Sequence, residues 1–130
     1  MRHADVEWVE SRLQSIGYDA YDQTVPATPA REYVVVYPGE SRSPVERAGQ
    51  VHLRERQVWR LVCVSRSLAV LRRMVPAVTV LFTGARFGGV SGPVIVEDEI
   101  GPELSEGSDA DRRYSQTVIY HHYQSKRNPS

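Results

Sequence analysis

The chain has 130 residues and a mass of 14.7 kDa, which is enough for one hydrophobic core and too little for two, so a single domain over 1–130 is expected. Sixteen Lys plus Arg balance sixteen Asp plus Glu, which excludes a global field drawing the molecule to nucleic acid or to an anionic membrane. The 41% apolar content excludes a wholly disordered chain, and Cys63, the only cysteine, excludes an internal disulfide framework or a cysteine-cluster zinc site.

Taken in chain order, Asp5 is placed to cap a helix over Val6 to Ile16, in which Trp8, Val9, Leu13 and Ile16 recur at helical spacing before a stop at Gly17. The opening residues MRHADVEWVESRL contain no apolar signal core. The most apolar stretch, Leu68 to Phe82, carries Arg72, Arg73 and Pro76 and is shorter than a membrane span, so a soluble intracellular product without a membrane partner is expected. GYDAYDQTVP alternates apolar and polar side chains and predicts a short half-buried strand ending at Pro26.

REYVVVYPG predicts a strand over Arg31 to Tyr37, closed by Pro38-Gly39. Glu40 to Glu55 has mixed charge and no sustained period, and predicts a mobile loop. Arg56 to Ser65 is a nearly continuous apolar run, as in a strand covered on both faces, with Cys63 as a small buried hydrophobe. Ser67 caps a second helix with Leu68, Leu71, Val75, Val78 and Phe82 on one stripe, ended by Gly84; Pro76 inside it should kink or divide it.

Two short β segments around a glycine turn are expected in ARFGGVSGPVIVEDE, then a connector from Gly101 to Asp111. RRYSQTVIYHHYQ reads as a long last strand, with a core over about 4–124 and a frayed tail over 125–130. The fold class that follows is α+β, a single mixed or antiparallel sheet packed against two α-helices.

No assembled catalytic or metal-binding constellation is legible, so neither an enzyme nor a bound cofactor is expected. His121 and His122 are adjacent in a strand and point to opposite faces, one inward and one to solvent, so they cannot chelate one ion together. Gly84, Gly88, Gly89 and Gly92 fit no phosphate-loop spacing, and the acids between Glu97 and Asp111 do not have the ligand spacing of a calcium loop. The stretch from Arg54 to Arg73 is rich in arginine. Opposite charge in separate segments suggests a head-to-tail contact between copies, with Arg66, Arg72 and Arg73 on one surface and Glu97, Asp98, Glu99, Glu103 and Glu106 on the other. Arg42, Glu46, Arg47 and Arg54 mark the charged loop as a candidate assembly loop.

The order of an amphipathic helix, YVVVYPG, a charged loop, RQVWRLVCVSRS running into LAVLRRMVPAV, SGPVIV and RRYSQTVIYHHY resembles the tail terminator proteins of long-tailed phages, especially those of actinobacteria. The resemblance spans about Ala4 to Gln124 and implies a subunit of a hexameric ring in the virion. Such a ring caps the head-proximal end of the tail tube and ends its polymerisation. The partners implied are the tail tube protein, a head completion or connector protein, and genomic DNA crossing the lumen without sequence-specific binding. Two other readings compete: a head completion or stopper protein, and a small ligand-binding or hydrolytic α+β protein using His121 or His122 beside Tyr120.

Overall fold

The computed structural model describes residues 3–39, 41–42 and 54–125. The first helix, α1 (His3–Ser15), turns Val6, Val9 and Leu13 inward, the last of these fully buried. It starts before Asp5, which therefore lies in its first turn; the carboxylate acts on the helix dipole and is not the cap that the sequence predicts. Gly17 ends the helix in the left-handed region at φ 92°, where its own N–H donates to the Gln14 carbonyl and that of Tyr18 reaches back to Leu13. Ile16 falls beyond the last helical residue and is exposed.

Among the described residues, seven strands form one mixed sheet. They are β1 (Asp19–Asp22), β2 (Glu32–Tyr37), β3 (Ser41–Arg42), β4 (Arg54–Ser65), β5 (Val96–Ile100), β6 (Leu104–Glu106) and β7 (Arg113–Ser125). The path runs β1-β2-β4-β7-β5, with β3 beside β4 and β6 beside β7; β1 and β2 are parallel and the other pairs antiparallel. With the two α-helices on one face, this is the α+β class expected from the sequence.

Several boundaries move. The predicted loop over Glu40 to Glu55 gives Ser41 and Arg42 to β3, and Arg54 and Glu55 to the start of β4, which pairs with β7 as far as Ser125. The rest of that loop, Glu46 and Arg47 included, and most of the predicted tail lie outside the described residues. Of the two β segments expected around the glycine turn, the first is a single bridge between Arg86 and Val94, and β5 follows. The connector from Gly101 to Asp111 contains β6 and one 3₁₀ turn, Asp109–Asp111.

The second helix, α2 (Leu68–Phe82), begins where Ser67 Oγ accepts from the Val70 N–H, as a capping serine should. It is not divided at Pro76. The proline sits on the exposed side, so the Arg72 carbonyl that loses its donor can turn to water, while Leu71, Met74, Val75, Val78 and Phe82 remain buried. Against them the sheet sets Val34, Val36, Leu61, Cys63, Val118 and Tyr120, with Trp59 stacked on Tyr120 at 4.9 Å between ring centroids. Strand alternation sends Tyr33, Val35 and Val64 to the other face, where Tyr21, Tyr37 and Val62 partly cover them. Gly39, after β2, has no room for a side chain, since a Cβ would stand 1.2 Å from the Val58 carbonyl oxygen.

Candidate functional site

The face of the sheet away from the helices carries the first cluster of chemical groups. In β4 the period of two puts Arg56, Val58 and Arg60 there, and antiparallel register sets Ile119 and His121 of β7 beside them. The register of β5 slips between Glu97 and Glu99, so Asp98 is an extra residue that bulges out of the ladder. That bulge places its carboxylate 2.6 Å from His121 Nδ1 and 3.1 Å from the Arg56 guanidinium. With a carboxylate so close, His121 Nδ1–H donates to Asp98, and the 3.4 Å approach of Arg56 to the same nitrogen is a contact between two donors. Arg56, Arg60, Asp98 and Glu99 edge a shallow basin of about 690 Å³ floored by Val58 and Ile119. Arg60 is held over the Tyr37 ring at 4.9 Å.

His122 points the other way, as strand geometry predicts, and is 3% exposed. It stacks on Phe87 at 4.1 Å and accepts the Trp59 indole N–H through Nδ1 at 3.1 Å. Burial first, then the neighbouring His121, push its pKa down to about 4, so the ring is neutral with its proton on Nε2, an atom that has no hydrogen-bond partner. Tyr120 is fully buried, and burial, then Glu97 and Cys63, push its phenol well above the ordinary range. Cys63 is likewise buried and its thiol is pushed up to about 12. His122 and Tyr120 are thus core groups. The two histidines point to opposite faces as expected, but His121, on the face away from the helices, has a side chain only 12% exposed because Asp98 and Arg56 cover it. Among the described residues no group of three or more His, Cys, Asp or Glu side chains could hold a metal ion.

The oppositely charged segments meet within one chain. Arg72 on α2 grips Glu103 with two bonds of 2.9 Å, Arg66 lies 3.6 Å from Asp111, and Arg56 pairs with Asp98 as above. Glu97 accepts from the Thr83 hydroxyl at 3.4 Å. Of the residues assigned to a contact between copies, Arg73, Glu99 and Glu106 are exposed and form no ion pair among the described residues. Arg42 and Arg54 lie at the β3–β4 end of the sheet.

Sequence reading missed a second cluster. Arg31, Arg66 and Arg112 come from three separate parts of the chain and line a basin of about 500 Å³ with Asp109, Ala110 and Tyr114. Only the register of β2, β4 and β7 brings them to one end of the sheet.

Comparison with solved structures adds a match over nearly the whole chain. A chain in the virion of a native gene transfer agent (GTA) particle aligns over 94% of this protein and 98% of its own length, with a TM-score of 0.59 and 16% identity. The fold is shared with a virion component. A second solved protein aligns over 98% of this chain and 96% of its own, with a TM-score of 0.61 and 16% identity. No known family profile matches the sequence, and no curated protein matches it.

Proposed function

We propose that this chain is a virion structural protein, and specifically a tail terminator that forms a ring on the head-proximal end of a tail tube. The observation that carries the reading is the end-to-end fold correspondence with a chain of the gene transfer agent virion, joined to the sequence resemblance to tail terminators. The ring, hexameric by that resemblance, ends tube polymerisation and presents its other side to a head-side connector, with genomic DNA crossing the lumen.

A closed ring needs two different complementary surfaces on every protomer. Three exposed apolar side chains offer area for burial: Val80 on the outer side of α2, 81% exposed, Val90 in the glycine turn, 93% exposed, and Leu104 on β6, 55% exposed. Arg73, Glu99 and Glu106 remain available to set register, a role in which exposed charges act more than they add affinity.

Negative-stain imaging of the purified protein, alone and with tail tubes, tests the reading. Open-centred rings that sit on tube ends are expected, and Arg73→Glu should reduce them while circular dichroism stays unchanged. A protein that stays monomeric at high concentration and ignores tube ends refutes the proposal. Decoration of portal complexes instead of tubes would reassign it to a head completion or stopper role.

A further inference from the structure

We infer that the basin between Arg31, Arg66 and Arg112 is a binding site for a phosphate group, either free or carried by a nucleic-acid backbone. The inference goes beyond the terminator reading and does not need ring formation, because every residue it uses lies in one chain.

Three guanidinium groups line the basin, with Asp109 in its wall and Asp111 beside Arg66, which leaves one unmatched positive charge in a chain whose formal charge is zero. The local excess is therefore not part of a general positive field. Two of the three are also held in place by neutral acceptors, which fix the fork. Arg66 donates to the Ala110 carbonyl at 2.9 Å, and Arg112 donates to Ser105 Oγ at 2.7 Å. Each also has a solvated carboxylate beside it: Asp111 stands 3.6 Å from Arg66 with its side chain 82% exposed, and Asp109, fully exposed, accepts from Arg112 at 3.4 Å. Such pairs are weak in water. Arg31 is exposed and makes no hydrogen bond or ion pair among the described residues. The Tyr114 wall packs against the main core, so one side of the basin is rigid.

The chemistry favours phosphate over carboxylate. A carboxylate has two coplanar oxygens that a single arginine fork can fill, whereas a tetrahedral phosphate offers oxygens in several directions and suits forks arriving from separate elements. Here the forks come from the connector before β2, the end of β4 and the residue preceding β7.

The test uses the whole chain and two probes: inorganic phosphate followed by amide chemical shifts, and a fluorescent DNA duplex of about 20 base pairs followed by anisotropy at about 50 mM salt. Wild type should bind at least one probe. Arg31→Gln, which removes no internal bond, should weaken binding about five- to tenfold, as expected for one charge-assisted contact. Arg31→Lys should lose less, since it keeps the charge but not the fork. Arg73→Gln, an equal charge change outside the basin, should alter binding less than about twofold. Binding of the duplex with little response to free phosphate would identify the backbone as the source, and the reverse would identify a free anion. No binding of either probe, or equal losses for Arg31→Gln and Arg73→Gln, overturns the inference. Rings that form without phosphate binding would sink this proposal alone, and binding by a protein that never forms rings would sink only the terminator reading.

Discussion

Lowering the pH should destabilise the fold through His122 before other core groups are touched. The ring is neutral in the folded chain, with a pKa of about 4 caused mainly by burial, against 6.5 for an ordinary histidine. The unfolded chain therefore binds more protons between those two values, and stability that is full above the higher one is lost as pH falls toward the lower. By about pH 5 the loss from this group alone reaches about 2 kcal/mol, or about 1–2 kcal/mol if a charged ring can relax toward the solvent. Urea unfolding of wild type and His122→Gln at about pH 7.5 and 5 isolates the effect, because Gln keeps an acceptor for the Trp59 N–H but does not titrate. Other titrating groups cancel in the difference. Wild type should lose about 1–2 kcal/mol more than the variant on acidification, and parallel losses would show that His122 is not held neutral by burial.

Three further outcomes follow from the packing. Cys63, fully buried with its thiol pushed up to about 12, should resist alkylation in the folded protein and react within minutes in denaturant, as read by mass spectrometry. Pro76→Ala should raise stability by about 1–2 kcal/mol, because the exposed site can then donate to Arg72 and the ring clash disappears; a neutral or negative change in urea unfolding would contradict this. Gly39→Ala should cost about 2 kcal/mol or more, since the new Cβ meets backbone at Val58 and not a side chain that could swing away, and an unshifted thermal midpoint would be the contrary result.

The parts of the fold legible in the sequence are those whose signal is local. Ser67 and the stripe from Leu68 to Phe82 fix α2 because cap and period lie in one window. The β-branched runs of β2, β4 and β7 declare themselves in the same way. β6 was missed because Leu104, Ser105 and Glu106 are all exposed and become a strand only by pairing with Ser115, Tyr114 and Arg113. The candidate sites were less legible for the same reason. Asp98 sits in a run of three acids with nothing to mark it as the bulged one, and its meeting with Arg56 and His121 depends on the ladders on both sides of β7. Arg31 read only as the start of a strand, since its partners in the basin are 35 or more residues away in sequence, as shown by its numbering against Arg66.

Segregated charge has two structural solutions, and the geometry distinguishes them residue by residue. Opposite segments can pair across copies, or the chain can fold them onto each other. Arg72 and Glu103, 31 residues apart, take the second course with two bonds of 2.9 Å, and burial of the pair is slight, so it positions the β5–β6 turn against α2 more than it stabilises the fold. Arg66 and Arg56 also spend their nearest carboxylates inside the chain, though at 3.6 Å the Arg66 pair leaves its fork partly free. Of the charges assigned to a contact between copies, Arg73, Glu99 and Glu106 stay exposed and unpaired among the described residues, and Val80, Val90 and Leu104 are the most exposed of the large apolar side chains there. Screening removes most of the attraction between exposed charges beyond about 8 Å at physiological salt, whereas apolar burial is not screened. A ring built from these surfaces would accordingly draw its affinity from the three apolar side chains and their surroundings, and its rotational register from the three charges.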